Sequence, residues 1–112
     1  MPSPMRLEMK GEVLCAYLQG EIDHHTARIM REGIDLALEQ NRPSLLLLDF
    51  SGVSFMDSSG VGLVMGRYRE MGRLRGEVQI TGASRQIAKL MSMAGLDRLN
   101  LLGSKSAAKR GK

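Results

Sequence analysis

Residues 45–62 read Leu45-Leu46-Leu47-Leu48-Asp49-Phe50-Ser51-Gly52-Val53-Ser54-Phe55-Met56-Asp57-Ser58-Ser59-Gly60-Val61-Gly62. The apolar run at 45–50 has the length of a strand and lies between turn residues. It predicts a strand buried on both faces. Residues 51–54 read as a loop. A helix begins near Ser58, with Val61, Val64, Met65, Tyr68, Met71 and Leu74 recurring on one face. A buried strand that passes through a polar turn into an amphipathic helix is the building unit of a parallel α/β sheet.

Upstream, Ala27, Met30, Ile34, Ala37 and Leu38 recur at helical spacing, while Arg28, Arg31, Glu32, Asp35 and Glu39 take the opposite side. Asp23 or Thr26 caps the start of this helix. It ends near Asn41-Arg42-Pro43, because proline clashes with a continuing helix. Residues 5–10 alternate apolar and polar, and residues 13–18 are mostly apolar. Joined by Gly11-Glu12, they predict an antiparallel hairpin. Gly20-Glu21-Ile22-Asp23 ends the second of these strands.

Downstream, residues 77–81 predict a further strand. Ser84 caps a third helix with Ile87, Leu90, Met91 and Ala94 inward. Gly95 supplies the left-handed helix end, and Leu96 the accompanying apolar contact. Residues 99–102 predict a last short strand. The order β-β-α-β-α-β-α-β implies an α/β fold: a mostly parallel sheet of four or five strands, an antiparallel N-terminal strand, and helices packed against it. Residues 1–102 form the single predicted domain, and residues 103–112 a basic, solvated and disordered tail.

Composition narrows the function. The chain has 112 residues, 43% of them hydrophobic, which suffices for one modest core. Nine methionines and no tryptophan make that core aliphatic and adaptable. The net charge of +4 is a property of the tail: Lys105, Lys109, Arg110 and Lys112 are four of the 16 bases, and the remaining 12 face 12 acids. A neutral body gives no electrostatic footprint for nucleic acid. Cys15, the single cysteine, excludes an internal disulfide and a four-cysteine zinc site, and reads as a small core residue. No apolar run reaches membrane-spanning length, and Met1-Pro2-Ser3-Pro4 has no signal-peptide pattern. The expectation is a cytoplasmic protein that binds neither membrane nor nucleic acid directly.

Two segments leave strands and enter helices: Gly20-Glu21-Ile22-Asp23-His24-His25-Thr26 and Phe55-Met56-Asp57-Ser58-Ser59-Gly60-Val61-Gly62. In parallel sheets such loops gather at one edge, where sites form. If their strands are neighbours, Asp23 and Ser58 share a patch. Ser58 or Asp57 serves at least to satisfy the free N–H groups of a helix start. Gly60, Gly62 and Gly66 cost helix stability, which leaves two readings: tight packing inside, or close approach of another backbone outside. A phosphate on Ser58 is physically tolerable, since a helix N-terminus favours negative charge. A hydrolase built on Ser58 or Ser59 with His24 or His25 lacks the Gly-x-Ser-x-Gly elbow. Neighbouring His24 and His25 diverge, so no metal is expected. No phosphate-binding loop is present. The chain is expected to be no enzyme and to need no cofactor.

With these two segments, and Gly66-Arg67-Tyr68 after the second, the chain closely resembles the bacterial anti-sigma factor antagonists of the sporulation type, in the STAS domain superfamily. The resemblance runs from about residue 5 to residue 102. It implies a partner switch in sporulation transcription. The unphosphorylated protein binds an anti-sigma factor that is itself an ATP-dependent serine kinase, and the sigma factor is released. Phosphorylation of the first serine, Ser58, ends binding, and a serine phosphatase restores it. The implied partner-binding residues are Glu21, Asp23, His24, Asp57, Ser58, Ser59, Gly60 and Gly62. A second implied reading is a STAS module of another partner-switching, stress-signalling complex. The basic tail departs from the family pattern.

Overall fold

In the computed structural model, which describes residues 3–99 and 101, one four-stranded sheet has the order β1-β2-β3-β4. The strands are β1 (Met5–Lys10), β2 (Val13–Ile22), β3 (Leu45–Met56) and β4 (Glu77–Thr81). β1 pairs antiparallel with β2, and the other pairings are parallel. The helices are α1 (His24–Asn41), α2 (Ser58–Arg73) and α3 (Arg85–Met93), followed by a 3₁₀ turn at Leu96–Leu99. The fold class predicted from the sequence is the one observed. No helix among the described residues is long and apolar enough to cross a membrane.

The core lies between the sheet and the helices. Leu14, Ala16 and Leu18 of β2, Leu46, Leu48 and Phe50 of β3, and Val78 and Ile80 of β4 are buried. They form one cluster with Met30, Ile34 and Leu38 of α1 and Val64 and Met71 of α2. Burying each of these side chains larger than alanine contributes about 1.5–3 kcal/mol. Strict alternation along the strands directs Leu45 and Leu47 to the other face, where they are only half-buried. β3 is therefore covered fully on one face, not on both. That second face also carries Arg6, whose guanidinium lies 4.2 Å from the ring centre of Tyr17.

The largest correction concerns residues 51–54, which are strand, not loop. β2 continues past Leu18 to Ile22 and stays paired with β3 to its end. The register shifts twice, between Tyr17 and Gln19 and between Gly20 and Glu21, with one extra residue on β3 each time. Gly20 absorbs part of this bend at φ +77°. The inward residues of β3 then fall at Phe50, Val53 and Met56, every third position. A spacing of three matches neither strand nor helix periodicity, which is why the sequence reads as a loop there.

Three smaller corrections follow from packing. α2 buries Gly60, Leu63, Val64, Arg67 and Met71, whereas Tyr68 is exposed. Ala94 is exposed beyond the end of α3, although Gly95 takes the expected left-handed φ of +89° and Leu96 is buried. Leu99 ends a 3₁₀ turn instead of starting a strand, and the Leu101 carbonyl accepts a hydrogen bond from Ile80 N–H. Leu102 and the tail at 103–112 lie outside the described residues.

The rotation of α2 goes with an ion pair between the helices. Arg67 is 6% exposed, and its Nε stands 3.0 Å from Oδ1 of Asp35, a residue the sequence assigns to the solvent side of α1. Burial pushes the Asp35 carboxyl up and the Arg67 guanidinium down, against their mutual attraction. Desolvation therefore outweighs Coulomb attraction at both ends. Nη1 of Arg67 is also buried without an acceptor among the described residues. Such a pair adds little net stability but is costly to half-remove. Asp35→Ala, which strands the buried guanidinium, is expected to lower unfolding free energy by about 2–3 kcal/mol, reduced from the fully buried case because water reaches Asp35. Arg67→Met, which leaves only a half-exposed carboxylate, is expected to change it by less than about 1 kcal/mol. Urea denaturation of both variants checks the order.

Candidate functional site

The two segments singled out in the sequence meet at the carboxyl edge of the parallel strands. Glu21 lies opposite Phe55 and Ile22 opposite Met56 in the β2–β3 ladder. The last tie is Asp57 N–H donating to the Ile22 carbonyl at 3.1 Å. One residue further on, Asp23 and Asp57 cap α1 and α2. The two helix starts thus stand side by side.

Each aspartate is committed to its cap. Asp23 Oδ1 accepts from Thr26 N–H at 2.9 Å, while Asp23 N–H donates to Thr26 Oγ1 at 2.9 Å. Thr26 Oγ1 in turn donates to the Glu21 carbonyl at 2.8 Å. The Thr26 N–H bond is the main cause holding the Asp23 carboxyl below the usual carboxylate range. Asp57 Oδ1 accepts from Ser59 N–H at 2.8 Å. Asp57, not Ser58, is therefore the cap, and Ser58 is the first helical residue. In each aspartate it is Oδ1 that accepts the capping backbone N–H.

Exposure separates the candidate residues. Glu21, Asp23, His24, Ser58 and Gly62 are exposed, and Asp57 and Ser59 are half-buried. Gly60 lies beneath the patch: a Cβ there runs into the Met56 side chain, so this glycine serves helix-on-sheet packing. Gly62 and Gly66 differ, since an added Cβ meets nothing within 4 Å at either. The packing reading thus applies at Gly60, while packing among the described residues does not call for a glycine at 62 or 66. His24 from α1 and Ser59 and Gly62 from α2 line one groove of about 250 Å³ between the helices.

The sequence did not single out three features of this region. Arg28 and Arg31 line the same groove, having been read only as the solvated side of α1. Their signal was spacing, since residues 24, 28 and 31 fall on one helical stripe. Phe55, at the edge of the patch, is 54% exposed. Alternation gave no warning of this, because the register shifts break it.

A family model described as the STAS domain matches residues 4–108. An anti-sigma F factor antagonist of Lysinibacillus sphaericus is 38% identical over 92 residues, covering 81% of this chain and 79% of that one. The solved structure of the anti-sigma factor antagonist SpoIIAA in its unphosphorylated form aligns with a TM-score of 0.78 at 34% identity, covering 95% of this chain and 94% of that one. The structure of the Bacillus cell fate determinant SpoIIAA in the phosphorylated form aligns with a TM-score of 0.72 at 33% identity, covering 96% and 99%. With its fold, its paired helix caps and its Asp57-Ser58-Ser59-Gly60 turn, the chain belongs to the STAS domain family, among the anti-sigma factor antagonists.

Proposed function

We propose that this protein is a partner switch in sporulation transcription whose contact point is Ser58. In its unphosphorylated form it binds an anti-sigma factor that is also a serine kinase, and the sigma factor is released. The kinase transfers phosphate from ATP to Ser58, the complex dissociates, and a serine phosphatase resets the protein. The carrying observation is that Ser58 is exposed at the first position of α2, while Asp57 already caps the helix. The hydroxyl is open to a kinase, and its modification removes no bond that the helix start depends on. Ser59, half-buried with its N–H engaged by Asp57, is the poorer acceptor. The solved structure of a relative in a phosphorylated form supports the same reading.

The phosphate adds about −1.5 to −2 charges. At the helix start the dipole and water moderate it. Against a partner it stands beside Asp57, Glu21 and Asp23 in a surface losing its water, where like charges cost several kcal/mol. Each 1.4 kcal/mol or so is tenfold in affinity. Binding can therefore end without unfolding.

Incubation with the cognate kinase and ATP is expected to add one phosphate, mapped by mass spectrometry to Ser58. A phosphate on Ser59, or none, overturns the assignment. Ser58→Ala is expected to keep kinase binding and lose modification, and Ser58→Asp to weaken binding, both read by calorimetric titration. Gly62→Ala is expected to raise thermal stability, by up to about 1 kcal/mol, yet weaken binding, because its added methyl meets only the partner.

A further inference from the structure

The groove between α1 and α2 has a charge of its own, and we infer that it receives an acidic segment of the anti-sigma factor kinase. This rests on the reading above and adds a second contact, separate from the serine. Ala27 and Leu63 form the buried part of the groove, His24, Arg28 and Arg31 one wall, and Ser59 and Gly62 the other. The arginine side chains are 69% and 50% exposed.

A single carboxylate serves both guanidiniums. Glu32 Oε2 lies 3.4 Å from Arg28 Nε and 4.0 Å from Arg31 Nη2. Exposed pairs of this length hold side chains weakly, so both arginines can turn to an incoming carboxylate. Of the other acids on adjoining elements, Asp23 and Asp57 serve as caps, Asp35 pairs with Arg67 and Glu70 with Arg73, while Glu21 and Glu39 stand away from the groove lining. The wall itself thus carries two arginines against one glutamate, next to an acidic pair of helix starts. Gly62 keeps the opposite wall low, although an added Cβ there meets no atom of the described residues within 4 Å. Together these features fit a carboxylate-bearing loop or helix lying between α1 and α2, next to the serine it presents to the kinase. The basic groove selects the partner, and the serine charge decides when it leaves.

The test is calorimetric titration of the ADP-bound kinase with wild type, Arg28→Glu/Arg31→Glu, and Arg6→Glu as a remote charge control. All three substitutions are at exposed positions, and thermal melts verify folding. The groove reading expects a loss of roughly tenfold per reversed arginine, a weaker dependence on salt than wild type, and no change for Arg6→Glu. Equal affinities for wild type and the double variant overturn it, while release on Ser58 phosphorylation still upholds the switch. An equal loss in Arg6→Glu overturns it as well, by assigning the effect to net charge. So does a loss seen only when a non-hydrolysable triphosphate replaces ADP, because the arginines then meet nucleotide phosphate. A wild type that binds no such kinase overturns both readings.

Discussion

The parallel pairing of β2 with β3, carried to Ile22 and Met56, is the constraint on which the site depends. Each rung advances a strand by about 3.3 Å, so the last rungs decide whether two helix starts lie together or apart. Here the final bond, from Asp57 N–H to the Ile22 carbonyl, leaves Asp23 and Asp57 as the next residues on neighbouring strands. Two helices then begin at one edge, and their positive dipole ends add. An aspartate at each start answers this field and the free N–H groups together. The acidity of the patch is thus a product of the fold before it is a feature of any interface.

Around this pairing the residues divide their tasks. Asp57 caps, Gly60 admits Met56, and Ser58 does neither. The position at the centre of the patch is consequently the one least committed to stability. Arg67 is the opposite case. It is buried at the joint of α1 and α2 with desolvation exceeding attraction, so its ion pair adds little to how firmly the helices hold. The groove toward the helix starts is built from the same two helices, with one wall from each.

Much of this was legible in the sequence. The helix periods of α1, the hairpin, the caps at Asp23 and Ser84 and the left-handed end at Gly95 each express a local rule that tertiary structure left in force. The two signature segments could be placed at one edge from topology alone. What escaped was non-local. Residues 51–56 are strand only because β2 lies beside them, and their inward spacing of three comes from register shifts that no single strand reveals. Asp35 reads as a surface charge because it is polar on its own helix, and nothing local marks Arg67 as its partner; the pairing comes from packing one helix on the other. Arg28 and Arg31 became a wall only when α2 supplied the second side.

The same division explains why charge can act on binding and spare the fold. At 4 Å, two unit charges interact by about 1 kcal/mol in water and about 4 kcal/mol near a protein surface of lower effective dielectric. A phosphate on exposed Ser58 lies between these figures while the protein is alone, and its neighbours Glu21 and Asp23 are exposed as well. Docking moves all of them toward the second. On the proposed reading, the partner itself amplifies the repulsion that expels it, by excluding the water that had screened it. A buried serine has no such contrast between free and bound states, so the proposed switch requires a serine as open as Ser58.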